Sequence, residues 1–433
     1  MEINNISGNV PYVAILPIEN KIIDRFVSKF EIGTLPTPLN ILFWDNYISN
    51  LKRFKNVFRD FNMGNNVFYS CKANKGYSFM YGAASEGCGI EVSSIYELKD
   101  ALKYTNKIIA SGPAKSMDYL KCAILNHVIV SLDDIEELRT IIDMRMCVEV
   151  LIRISDIVGI ESRFGINQLQ IDECLTLIAG SKVSLVGFSF HINNYKLDDR
   201  IAGIFELLKI VHEKNIIIKY IDIGGGMPVK YCESTKFQSF LELNNSDMYF
   251  KKKIISDFYP YSSAISDADG VRYILERIKN SLEGIEIIVE PGRSLLNNCG
   301  ISIFEVVYLK KLPSGENLIV TNGNINCLSE QWFGSDYVIE PQLLKKNKTA
   351  PECILFASVA GNLCLEQDMI TWRKIKFNHL PEKGDCLVYF NTAGYQMDSN
   401  ESCFHKIPLV SKVVAIKKNG RFIIRRDEEY DCK

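Results

Sequence analysis

Four short stretches carry side chains whose types and positions could do chemistry. Tyr69-Ser-Cys-Lys-Ala-Asn74 places Lys72 just after an apolar run. A lysine held there is either an amine that desolvation makes nucleophilic or a snorkelling, salt-bridged cation. Phe188-Ser-Phe-His191 ends another run in a histidine that is either satisfied within the structure or stacked on a planar ligand. Asp222-Ile-Gly-Gly-Gly226 follows a third run. Three consecutive glycines expose successive N–H groups and let an anion approach closely, as phosphate loops do; the plainer use is a flexible turn. In Val289-Glu-Pro-Gly-Arg293, Gly292 can bring backbone to an anion and Arg293 can pair with it. Glu290 is an acid at the end of a buried run and needs a partner, either a protonated ring nitrogen or Arg293 itself. Each stretch alone is ambiguous. Together they suit one ligand with an aldehyde, a flat ring, a protonated ring nitrogen and a phosphate, which is pyridoxal 5′-phosphate.

These groups need a frame that brings four strand ends together. Between residues 65 and 293, eight β-branched or apolar runs recur: 67–70, 90–93, 108–111, 128–132, 148–154, 185–191, 216–222 and 285–290. Segments with helical spacing lie between them, at 78–85, 95–104, 117–125, 133–144, 171–178, 197–213 and 271–281. Ser94 with Glu97 reads as a capping box, and Ser131 with Asp134 as a weaker one. The count of eight favours a (β/α)8 barrel over an open doubly wound sheet, and barrels place their chemistry at the carboxyl ends of strands. Segment Cys232–Gly270, rich in aromatic and polar residues, reads as an insertion at that functional face. From Ser294 strand-like runs dominate, at 301–309, 317–321, 353–357, 386–391, 413–417 and 421–425, with Asn419-Gly420 as a hairpin signal between the last two. The expected fold class is therefore α/β plus all-β, a TIM-type barrel over 40–293 with a smaller β domain over 294–433.

Composition narrows the function. The 433 residues include 50 Lys+Arg against 52 Asp+Glu, a formal net charge of -2, which gives no electrostatic reason to expect nucleic acid or an anionic membrane as partner. No apolar run reaches the roughly 20 residues of a membrane span, and Met1 to Ile15 lacks the pattern of a signal peptide. The 13 cysteines are odd in number and form no CxxC pair, and the five histidines form no HxxxH pair, so neither a disulfide scaffold nor a metal site is expected. Reduced thiols fit a cytoplasmic protein.

The chain resembles the fold-type III pyridoxal-phosphate-dependent decarboxylases, which include ornithine, diaminopimelate and biosynthetic arginine decarboxylases. The resemblance runs over nearly the whole chain. It rests on the stretches above and on Gly87-Cys-Gly-Ile-Glu-Val-Ser93, Ser111-Gly-Pro-Ala-Lys115, Ser162-Arg-Phe-Gly165, Gly361-Asn-Leu-Cys364 with Asp368, and Gly384-Asp385 leading to Ala393-Gly394-Tyr395. It implies a pyridoxal-phosphate barrel and a C-terminal β domain completed by the N-terminal segment 1–39. It implies that Lys72 forms a Schiff base with the cofactor and His191 stacks on its ring. Gly224, Gly225, Gly226, Gly292, Arg293 and Tyr395 would hold the phosphate, and Glu290 would pair with the pyridine nitrogen. Cys364 would reach the site from the second subunit of a homodimer and donate a proton after carbon dioxide leaves.

Three places depart from the family pattern. Asn194 stands where a phosphate-holding serine is usual after the histidine. Leu365 stands where basic-amino-acid decarboxylases carry an acid, leaving Glu366 and Asp368 as the candidates for substrate binding. Asn391-Thr-Ala-Gly-Tyr-Gln-Met397 with Ser402 and His405 looks closer to the branch acting in siderophore and secondary-metabolite pathways on larger amino-acid conjugates. An amino acid racemase on the same barrel is a second reading, disfavoured by Glu290 where a racemase would carry arginine. A non-catalytic regulatory relative is a third, disfavoured by the presence of both Lys72 and Cys364.

Overall fold

The computed structural model describes residues 4–5, 11–328, 335–349 and 351–431; Cys432 and most of the first ten residues, on which the signal-peptide reading bears, lie outside them. The chain divides into two compact units.

One unit comprises Tyr47–Pro228, Ile265–Leu295 and the residues from Glu428 onward. Its eight-stranded sheet is built from Phe68–Ser70, Gly89–Val92, Ile108–Ala110, Ile129–Leu132, Val148–Arg153, Val183–Ser189, Tyr220–Asp222 and Glu286–Ile288. Neighbours in this order pair in parallel. The first and last meet as well: the Phe68 N–H donates to the Val289 carbonyl at 2.9 Å and the Val289 N–H to that of Asn66 at 3.1 Å. That closure makes the sheet a barrel and excludes the open doubly wound alternative. Phe68, Ile109, Leu151 and Ile288 fill its interior as one cluster, so the barrel is packed rather than hollow.

Helices Met117–Leu125 and Leu197–Glu213 begin and end where their spacing predicts. Ser94 caps its helix by accepting from the Glu97 N–H at 3.2 Å, while the Glu97 carboxylate accepts from the Ser93 N–H at 2.6 Å. The expected cap at Ser131 is displaced. Ser131 lies within the fourth strand, and Asp134 caps the next helix by accepting from the Glu136 N–H at 2.8 Å.

The second unit runs up to Asn46, then Val229–Ala264 and Leu296–Asp427. Its nine-stranded sheet is organised around Gly300–Lys311, which pairs with Leu39–Phe43 on one side; this strand lies almost wholly beyond the expected N-terminal segment 1–39, and the unit takes in the chain up to Asn46. Ser411–Lys418 and Arg421–Arg426 form a hairpin closed by Asn419 and Gly420, both at positive φ (48° and 78°), the geometry that an Asn-Gly turn supplies. The stretch over 229–264 differs from the expected barrel insertion. Tyr231, Phe237, Phe240, Met248, Tyr249 and Tyr261 pack with Phe304, Ile319, Trp372 and Tyr389 in the core of the β unit. Its aromatic residues are there to be buried. Among the described residues, no helix is long and apolar enough to cross a membrane.

Candidate active site

The barrel unit gathers the expected residues at the carboxyl ends of its strands. Lys72 sits on a single 3-10 turn, Cys71–Ala73, directly after the first strand. The turn is fixed by Asn74, whose side chain accepts from the Gly76 N–H at 2.9 Å and whose carbonyl accepts from the buried Tyr69 hydroxyl. Flanking Cys71 and Ala73 are buried, but the Lys72 side chain is 46 % exposed and its ammonium lies 4.0 Å from Glu91. Glu91, fully buried on the second strand, accepts from Ser70 Oγ at 2.6 Å and Ser93 Oγ at 3.0 Å. An ionised carboxylate in that position needs such donors and the nearby cation. Glu91 belongs to a stretch that the sequence singles out without giving it a role; an acid in the middle of an otherwise apolar buried strand is the available signal.

His191 follows the sixth strand. Burial first, and then the positive charges of Lys72, Arg153 and Arg200, hold its imidazole well below the usual range, so it is neutral at pH 7. Its ring lies against the triglycine bend: a Cβ added at Gly224 would fall 2.7 Å from Nδ1. A Cβ at Gly225 would fall 2.8 Å from the Glu290 carbonyl, and one at Gly226 onto the Arg200 guanidinium. Gly224 and Gly226 have φ of 63° and 75°. Glycine is therefore required by both space and conformation. The Gly224 N–H donates to Asp222 at 2.8 Å, whereas among the described residues the N–H groups of Gly225 and Gly226 have no acceptor in the protein.

Glu290 ends the eighth strand in a tightly coupled pair with Asp222. Burial is the main cause that raises both carboxyls, Glu290 well above the usual range and Asp222 to about 7. Two acids so close cannot both ionise, so the pair retains a proton. Lys72 counteracts the rise at Glu290. Pro291, Gly292 and Arg293 are buried immediately beyond.

These features fit pyridoxal phosphate. The bend offers unused N–H donors to a phosphate, the Glu290–Asp222 pair offers an acid to a pyridinium nitrogen, the neutral imidazole offers a flat face, and Lys72 is an accessible amine. Asn194 takes a different part: its amide donates to Asp199 at 2.7 Å and its oxygen accepts from the Lys196 N–H at 3.0 Å, shaping the turn into the next helix.

The remaining expected residues belong to the β unit. Cys364 is exposed on the loop between strands Glu352–Ala360 and Met369–His379. Asp368, expected to bind substrate, instead buckles that loop: its buried carboxylate accepts from the Leu363 N–H at 2.6 Å and the Ile325 N–H at 2.7 Å. Glu366 is 81 % exposed and paired with Lys251 at 2.7 Å. Tyr395 holds a φ of 77°, an uncommon conformation for a bulky residue; such strain persists where the surroundings impose it and points to a constrained role.

Comparison with known proteins agrees with this chemistry. Residues 46–297 match the family described as pyridoxal-dependent decarboxylase, pyridoxal binding domain. An uncharacterized protein of Sinorhizobium fredii, y4yA, is 32% identical over 402 residues, 88% of either chain. Diaminopimelate decarboxylase of Staphylococcus aureus is 24% identical over 391 residues, 82% of this chain and 84% of that one. The solved structure of diaminopimelate decarboxylase from M. jannaschii in co-complex with L-lysine superimposes with a TM-score of 0.72 at 19% identity, covering 99% of this chain and 96% of that one.

Proposed function

The chain belongs to the pyridoxal-dependent decarboxylase family, and from that premise we propose that it removes the carboxylate of an amino acid or amino-acid conjugate, with Lys72 holding the cofactor aldehyde and Cys364 donating a proton. The observation that carries the reading is the gathering of Lys72, a neutral His191 and the proton-retaining Glu290–Asp222 pair around the triglycine bend.

Bound pyridoxal phosphate supplies an electron sink that lets carbon dioxide leave. The protein's own groups prepare and complete that step. Gly224, Gly225 and Gly226, with Gly292 and Arg293, would hold the phosphate, and Tyr395 would add its hydroxyl. Glu290 would keep a proton on the ring nitrogen, since a carboxylate facing a cation is stabilised where a lone one is not. His191, uncharged, would cover the ring without repelling a positive nitrogen. The exposed Cys364 Sγ would give its proton to the carbon that has lost its carboxylate. In the assembly implied by the resemblance, this thiol comes from the second subunit of a homodimer.

The relatives' names include diaminopimelate decarboxylase. Glu366, tied to Lys251, is not disposed as a dedicated acid for the far end of a basic substrate, which favours a larger or less basic conjugate. Two experiments test the reading. The purified protein is expected to be yellow, and Lys72→Ala is expected to abolish the absorbance band of the lysine-bound cofactor; an unchanged band refutes the role of Lys72. A screen for carbon dioxide release across basic amino acids, diaminopimelate and carboxylated diamine conjugates identifies the substrate, and silence across all of them counts against decarboxylation.

A further inference from the structure

Arg200 lies in the first turn of helix Leu197–Glu213 and is fully buried behind the triglycine bend. Its hydrogen bonds tie together two loops. Nε and Nη2 donate to the Gly225 carbonyl at 3.3 and 3.2 Å, Nη2 also donates to the Ile192 carbonyl at 3.0 Å, and Nη1 donates to that of Lys196 at 3.2 Å. Gly225 belongs to the bend, and Ile192 follows His191.

The peptide unit is planar and trans, so its C=O and N–H point in opposite directions. With the Gly225 carbonyl anchored on the guanidinium, the Gly226 N–H is turned away from Arg200. On the preceding peptide, the Gly224 carbonyl accepts from the Glu290 N–H at 2.9 Å, which turns the Gly225 N–H away from Glu290. Among the described residues, neither of these donors has an acceptor. Gly224 and Gly226 take positive φ on either side of Gly225, the alternation that makes a backbone concavity for anions. At Gly226 a side chain would be strained by the positive φ, and its Cβ would meet the guanidinium.

We propose that Arg200 is a positioning residue for a phosphate monoester: by fixing the Gly225 carbonyl and the loop of His191 from behind, it aims the Gly226 N–H into the anion site and adds a positive charge beneath it. This rests on the pyridoxal phosphate reading of the site and assigns Arg200 mainly to the phosphate end of that ligand.

The test compares affinities of the full-length apoprotein for pyridoxal phosphate and for pyridoxal, which lacks the phosphate, by absorbance titration. Arg200→Gln is expected to reduce the preference for the phosphorylated form about 10- to 100-fold, the range of a lost charge-assisted hydrogen bond, with pyridoxal affinity falling by a smaller factor. Arg200→Lys, which keeps the charge but cannot span two carbonyls, is expected to fall between. Arg200→Lys also provides the measurement if Arg200→Gln does not fold. An undiminished preference in folded variants overturns the role of Arg200 while leaving the cofactor reading intact. A wild-type protein with no preference for the phosphorylated form overturns both.

Discussion

Single residues in this site act by charge state. Asp222 has a folded-state pKa of about 7 against an ordinary 3.8. A group raised in this way contributes stability that is full below about pH 4 and is lost as pH rises through about 7. Glu290 is displaced in the same direction. Glu290→Gln replaces the shared proton with an amide that can donate to Asp222 at any pH. The apoprotein of this variant is expected to melt a few degrees above wild type at pH 8, with the gap closing toward pH 5, while cofactor binding weakens; a calorimetric gap that does not change with pH refutes the shared proton. Asp336, also raised to about 7 by burial, is common to both proteins and cancels in the difference. The candidate groups were legible because Lys72, His191, the glycines and Glu290 each follow an apolar run. Glu91 and Arg200 were not. Their partners lie on other segments, and a buried polar side chain looks in the sequence like an exposed one.

At the scale of elements, the barrel was legible because each strand-helix repeat carries its own periodicity and punctuation. The β unit was less so. Strand Met369–His379 escaped notice because Arg373 within it is fully buried, paired with Glu340 at 2.6 Å and donating to the Val338 carbonyl at 3.0 Å. A buried ion pair breaks the polar-out alternation that marks a strand. Helix Trp44–Asp60 begins directly at the end of strand Leu39–Phe43, with no intervening turn to announce it. The triglycine bend is the element with least tolerance. Gly225→Ala would press a methyl against the Glu290 carbonyl, and overpacking of this kind costs about 1–3 kcal/mol. The expected result is weaker retention of cofactor on dialysis together with a lower melting temperature; normal retention would show that the bend can yield without loss.

For the molecule as a whole, Lys72 belongs to the barrel unit and Cys364 to the β unit, and the proposed homodimer with a shared site is tested by subunit exchange. Lys72→Ala and Cys364→Ala are each expected to reduce turnover, Cys364→Ala by about 10²–10⁴-fold as for other proton-transfer groups. Exchanging the two inactive variants into mixed dimers is expected to restore partial activity, since a mixed dimer can hold one site with both groups intact. No recovery in dimers shown to have exchanged refutes the shared site. Sequence periodicity could not foresee the division into units, because which core a segment such as 229–264 joins is decided by partners far along the chain.

The polypeptide passes between the two units five times, and this constrains how it can be made. Translation delivers Tyr231, Phe237, Phe240 and Tyr249 well before Phe304, Ile319, Trp372 and Tyr389, the residues that will cover them. All eight barrel strands have emerged by then, yet the nascent chain still carries a sticky, half-finished face. Newly synthesised intermediates of this kind are prone to aggregate, and a gene cut after residue 295 would freeze the protein in that condition.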